Sequence, residues 1–128
     1  MRKAYPVILR PSKVGYYVSV PDLNIGTQGD NLAEALYMAR DAINMWAISA
    51  QDMGQKVPEP SSSLPPGESG DLVMCVDVDF DIYRKEADIT SERTNVSIPR
   101  NLKYKAKAAG LNLSQELQTR LREVLKVA

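Results

Sequence analysis

Apolar and polar positions alternate with a period of two at the start of the chain. Tyr5, Val7 and Leu9 fall on one side, and Pro6, Ile8 and Arg10 on the other. This predicts a strand with apolar character on both faces. Pro11-Ser12-Lys13-Val14-Gly15 supplies a turn. Tyr16, Val18 and Val20 then alternate with Tyr17 and Ser19, giving a second strand that ends at Pro21. Ile25 to Gly29 makes a short third strand. Short turns between three strands favour an antiparallel meander.

The period then changes. Leu32, Ala35, Leu36, Ala39, Ile43, Trp46, Ala47 and Ala50 recur at spacings of three and four. That is one stripe of an amphipathic helix, with Trp46 in its core-facing set. Asn31 with Glu34 has the spacing of a capping box, and Asp30 is the alternative cap. Glu34, Arg40, Asp41 and Gln51 lie off the stripe and face water. From Gly54 to Gly70 the residues are rich in Pro, Ser and Gly, which predicts a connecting loop.

Leu72, Met74, Val76 and Val78 alternate with Val73, Cys75, Asp77 and Asp79. A strand whose first half is apolar on both sides is expected inside a sheet, with Cys75 as a small buried side chain. Asp77, Asp79 and Asp81 share one face of its end. Such carboxylates can hold Mg²⁺ for phosphoryl chemistry, but a solvated strand end explains them better. Phe80 to Glu92 reads as a charged linker.

Arg93-Thr94-Asn95-Val96-Ser97-Ile98-Pro99 is a short alternating strand stopped by a proline. It has no partner within its own segment. Pairing with the same strand of a second copy would make a two-stranded ribbon, an element that fits a DNA major groove. Thr94, Val96 and Ile98 would pack on helices. Arg93, Asn95 and Ser97 carry the chemistry for reading base edges. Pro99 can enter a helix from about Arg100 to Ala109, in which Leu102, Ala106 and Ala109 face inward. Lys103 and Lys107 lie four apart on it, with Lys105 nearby. Gly110 is placed to end it in the left-handed conformation. A second helix carries Leu117, Leu121, Val124 and Leu125 on one stripe, with Ser114 or Asn112 as cap. Its N-terminus can hold a phosphate. So few apolar side chains make a marginal core alone. Burying Thr94, Val96, Ile98, Leu117 and Leu121 therefore calls for a dimer.

The 128 residues are 44% hydrophobic, enough for one ordinary domain or two small ones. The charges sum to zero, yet residues 1–83 carry 6 Lys and Arg against 11 Asp and Glu, a net −5. Residues 84–128 carry 10 against 5, a net +5. A basic half points towards nucleic acid. The absence of histidine excludes His-dependent catalysis and disfavours a transition-metal site, and the single cysteine, Cys75, cannot form an internal disulfide. Neither a bilayer-spanning run nor a secretory signal is expected, so the expected location is the cytoplasm.

Residues 92–126, as strand, proline, helix, Gly-containing turn and helix, resemble the ribbon-helix-helix repressors. The N-terminal half resembles the HicB antitoxins. That likeness rests on Tyr5-Pro6-Val7-Ile8-Leu9 and on Gly15-Tyr16-Tyr17-Val18-Ser19-Val20-Pro21-Asp22. It continues through Thr27-Gln28-Gly29-Asp30, Glu34-Ala35 and Val57-Pro58-Glu59-Pro60-Ser61. The two resemblances imply an α+β chain. Residues 1–80 would be a toxin-binding domain like a trimmed ribonuclease H fold, with a small antiparallel-rich sheet and one main helix. Residues 81–91 would be a linker, and residues 92–128 a ribbon-helix-helix domain for DNA binding and dimerisation. The likeness also implies that Arg93, Asn95 and Ser97 read bases. Leu113 and Ser114 would grip a phosphate through their backbone, assisted by Lys103 and Lys107. Ser97 stands where many such strands carry a larger polar or basic residue, a departure that bears on the operator sequence.

The expected function is a non-enzymatic antitoxin without cofactor or metal. Its partners would be a HicA-type RNA-cleaving toxin, operator DNA and a second copy of itself, with higher-order assembly open through the N-terminal domains. One rival is a repressor whose N-terminal domain senses a small ligand. Another is a nuclease using Asp77 and Asp79.

Overall fold

The computed structural model describes residues 1–127. It divides into two compact units, Met1–Ile89 and Thr90–Ala128.

The first unit is a four-stranded antiparallel sheet crossed by one long helix. β1 (Arg2–Ser12), β2 (Gly15–Val20), β3 (Ile25–Gly29) and β4 (Leu72–Asp79) lie in the order β3-β2-β1-β4. The expected meander is present. β1 runs further at both ends than its alternation suggests, closing a tight hairpin at Ser12↔Gly15. Its pairing with β2 begins at Ile8, whereas its pairing with β4 spans Arg2 to Leu9. Pro6, which has no N–H to donate, thus falls where only β4 flanks the strand.

α1 (Leu32–Asp52) buries Ala35, Ala39, Ile43, Ala47 and Ala50 against the sheet. Its four small alanines let the helix approach Tyr5, Val7, Leu9, Val18, Val20, Val76 and Val78 closely. Asn31 caps it by accepting from the Glu34 N–H at 2.8 Å. Trp46 is partly buried against the core, while Leu32, counted in the apolar stripe, is exposed at the helix start. Gly29 ends β3 so close to α1 that a Cβ there would stand 2.4 Å from the Ala35 nitrogen.

Three expectations need correction. β4 is an edge strand, not an interior one. Cys75 is exposed rather than buried. In β4 Val76 and Val78 are buried in the core and Met74 packs against it, so Cys75 alternates away from it. The expected linker is helical over α2 (Phe80–Ala87). Asp79 caps this helix, accepting from the Asp81 and Ile82 N–H groups at 3.1 Å. Phe80 is buried, its ring centroid 6.4 Å from that of Tyr5. Between Gly54 and Gly70 there is neither helix nor strand, as expected of a loop.

The second unit holds α3 (Arg100–Ala108) and α4 (Leu113–Leu125). Gly110, at φ +74°, ends α3 in the left-handed conformation. The Leu111 N–H reaches back to the Ala106 carbonyl and that of Gly110 to Lys107, a Schellman closure. Asn112, not Ser114, caps α4, accepting from the Gln115 N–H at 3.1 Å. Residues 91–99 form no strand within the single chain. A strand requires a hydrogen-bonded neighbour, and the described residues supply none for that segment.

Candidate functional site

The two units differ in how their apolar residues are used. The first has a closed core of thirteen buried residues. In the second, every described residue is exposed except Ala106, which is half-buried. Val96 is 61% exposed, Ile98 37%, Leu117 41% and Leu121 48%. Leu117 and Leu121 lie one turn apart on α4 and so share a face. Apolar side chains at that density are rarely left uncovered on a folded unit.

The expected base-reading residues Arg93, Asn95 and Ser97 lie in the irregular segment before α3, interleaved with exposed Thr94, Val96 and Ile98. Lys103 and Lys107 stand on α3, and Leu113 and Ser114 are the first two residues of α4. The cap uses the Gln115 N–H, and the Asn112 carbonyl takes that of Glu116. The N–H groups of Leu113 and Ser114 are left without an intrachain acceptor among the described residues. The segment from Thr90 carries 8 Lys and Arg against 3 Asp and Glu. Free N–H groups at a helix start within a basic unit are chemically suited to a phosphate.

The acidic unit carries a cavity of about 290 Å³. Tyr37, Arg40, Asp41 and Asn44 of α1 form one wall. Asp77, Val78 and Asp79 of β4, Ile82, Tyr83 and Glu86 of α2, and Arg2 form the rest. Arg40 donates to the Asp77 carboxylate and to its carbonyl oxygen, both at 2.9 Å. The Arg40 guanidinium holds the Asp77 carboxyl below the usual carboxylate range. The Asp79 carboxyl is lowered chiefly by the Ile82 N–H. The Tyr83 hydroxyl donates to Asp41 Oδ1 at 3.1 Å, and burial followed by that bond raises its pKa.

Periodicity does not announce this cavity, because one of its walls, Ile82, Tyr83 and Glu86, stands on α2. The usable signal was Asp79 as a cap before Phe80 and Tyr83. The aspartates that suggested a nuclease have other duties. Asp77 pairs with Arg40, Asp79 caps α2, and Asp81 meets the chain's amino group at 2.6 Å. Among the described residues no cluster of His, Cys, Asp or Glu has metal-binding geometry. No described helix is long and apolar enough to cross a membrane.

Residues 5–121 match the family described as HicB_like antitoxin of bacterial toxin-antitoxin system. The fold resembles a toxin–antitoxin complex from Streptococcus pneumoniae, with TM-score 0.58 and 20% identity, over 96% of this chain and 99% of that one. It also resembles the antitoxin HicB of Burkholderia pseudomallei, with TM-score 0.54 and 25% identity, over 95% and 98%. No curated protein matches.

Proposed function

The chain belongs to the HicB-like antitoxins of bacterial toxin–antitoxin systems, and from that premise we propose that it neutralises a HicA-type RNA-cleaving toxin and represses its own operon as a dimer. The observation that carries this reading is the contrast between the units. One is acidic and complete in its core, and the other is basic and has none.

The acidic unit suits a toxin that must itself be basic to hold RNA. Opposite charge accelerates encounter and disfavours wrong partners. The antitoxin performs no chemistry in this scheme and acts by occupying the toxin. The basic unit gains its core by pairing. Two copies of residues 93–98 form an antiparallel ribbon, and Leu117 and Leu121 close beneath it. Both leucines are already more than half covered, so completing the burial of each contributes on the order of 1 kcal/mol. Arg93, Asn95 and Ser97 then face the major groove together, and the α4 N-terminus with Lys103 and Lys107 holds the phosphates. Residues 1–80 serve the toxin and residues 92–128 the operator.

Co-expression with the adjacent reading frame tests the first half. Growth arrest by that frame alone, relieved by this chain, is the expected result. A harmless neighbour, or arrest that persists, would contradict it. The rival in which the acidic unit senses a small ligand draws on the same 290 Å³ cavity. It requires operator affinity to change with a metabolite and not with the toxin.

A further inference from the structure

Asn44 is buried, with 5% of its surface exposed, and its Oδ1 has no hydrogen-bond partner among the described residues. Buried polar atoms are almost always paired, so an orphaned acceptor at a cavity wall asks for a donor from outside. Asn44 stands one turn from Arg40 and Asp41 on α1, and all three line the cavity.

Most of the other lining groups are acceptors as well, with Arg2 the opposing charge. Four carboxylates, Asp41, Asp77, Asp79 and Glu86, face two cations, Arg2 and Arg40. Arg40 is already held by Asp77, and Asp79 is occupied by the start of α2. Asp41 uses only Oδ1, towards Tyr83, and Glu86 forms no ion pair among the described residues. Among the described residues the acceptors left over are therefore Asn44 Oδ1, Asp41 Oδ2, the Glu86 carboxylate and the Tyr83 oxygen. Tyr37 and Tyr83 add aromatic surface to the walls. A flat, multi-donor cation matches this set better than an ammonium. Guanidinium presents its N–H groups in a plane, stacks on aromatic rings and is weakly hydrated. At about 290 Å³ the cavity is at the small end for a free ligand and ample for one long side chain.

We propose that this cavity receives an arginine side chain of the toxin, with its guanidinium donating to Asn44 Oδ1 and Asp41. The proposal rests on the reading that the acidic unit, at −5, binds a basic toxin. It adds where the toxin is anchored and by which chemistry. The anchor would be central and desolvated, the position in which arginine contributes most to an interface.

Two measurements test it. The isotopically labelled full chain is titrated with N-acetyl-arginine methylamide and with the citrulline counterpart, which keeps the shape and loses the charge. Saturable shifts of the Asp41 and Tyr83 backbone amides are expected with arginine, at least tenfold weaker with citrulline, and at least tenfold weaker again for arginine in Asn44→Leu. An equal response to both probes, or none to arginine, overturns the assignment. Affinity for the co-encoded toxin is then compared for wild type, Asn44→Leu and Asp41→Asn. A loss of tenfold or more is expected in each variant, with the thermal midpoint of Asn44→Leu unchanged or raised because a buried orphan is removed. If both folded variants hold the toxin as tightly as wild type, the cavity assignment fails and the antitoxin reading stands. If wild type itself does not hold it, both fail.

Discussion

The Tyr5 hydroxyl donates a 2.7 Å hydrogen bond to the Pro58 carbonyl oxygen. It ties the central strand to a loop that composition marks only as a connector. Lys3 meets Glu59 at 2.7 Å, and the Ser61 N–H meets Asp22 at 2.8 Å. The segment is thus pinned at three neighbouring points. Tyr5→Phe should cost about 0.5–1.5 kcal/mol by urea unfolding and speed proteolysis between residues 54 and 70. Burial also pushes the Tyr5 phenol up to about 12. A pKa raised on folding gives stability that is complete below pH 10 and declines as pH rises towards 12. Tyr5→Phe should flatten that decline, and an unchanged alkaline slope would remove Tyr5 as its source.

Asp79 joins β4 to α2 through its cap. Asp79→Ala should lower the thermal midpoint by a few degrees at pH 7. Its carboxyl is lowered on folding, so the stability it adds is present above the ordinary value of 3.8 and fades as pH falls. The gap between variant and wild type should therefore narrow on acidification towards pH 3. A gap that is constant with pH would mean that the charge of Asp79 is not what caps the helix.

Gly29→Ala should destabilise the first unit by about 1–3 kcal/mol, because the new methyl meets the start of α1. Neither partner can yield, since both are backbone. Chemical denaturation reads the loss directly, and a neutral result would place α1 further from β3 than described.

Much of this architecture can be read from the chain, and the misses have physical causes. The meander and α1 announce themselves because one face of each is buried, so their periods are clean. Gly110 and Asn112 punctuate α3 and α4 by local backbone chemistry alone. β4 misleads because Val73 and Cys75 are as apolar as its inward residues, although the strand lies at an edge. α2 is hidden because it buries only Phe80 and otherwise holds to α1 through polar bonds, such as Tyr83 to Asp41 and Arg84 to Asp52. Hydrophobic periodicity does not register such bonds. Asn44 is masked by the same rule, since an asparagine beside an apolar stripe reads as solvated.

Operator binding should require the uncovered face of the second unit. Leu121→Lys should leave that unit monomeric in sedimentation and abolish binding to the operon's promoter. Asn95→Ala should remain dimeric, lose about 1–3 kcal/mol at the promoter and relax base preference. Affinity should fall steeply as salt rises, through counterion release. An Asn95→Ala protein that binds as tightly as wild type would place the strand register elsewhere.

On the function proposed, the acidic unit silences the toxin by itself while the basic unit serves DNA. RNA cleavage by the co-encoded toxin, measured with increasing full-length wild type or Leu121→Lys, tests it most directly. Both proteins should stop cleavage near one antitoxin chain per toxin, although only wild type binds the promoter. Cleavage that continues in the presence of excess wild type, or that only the dimer stops, would contradict the account.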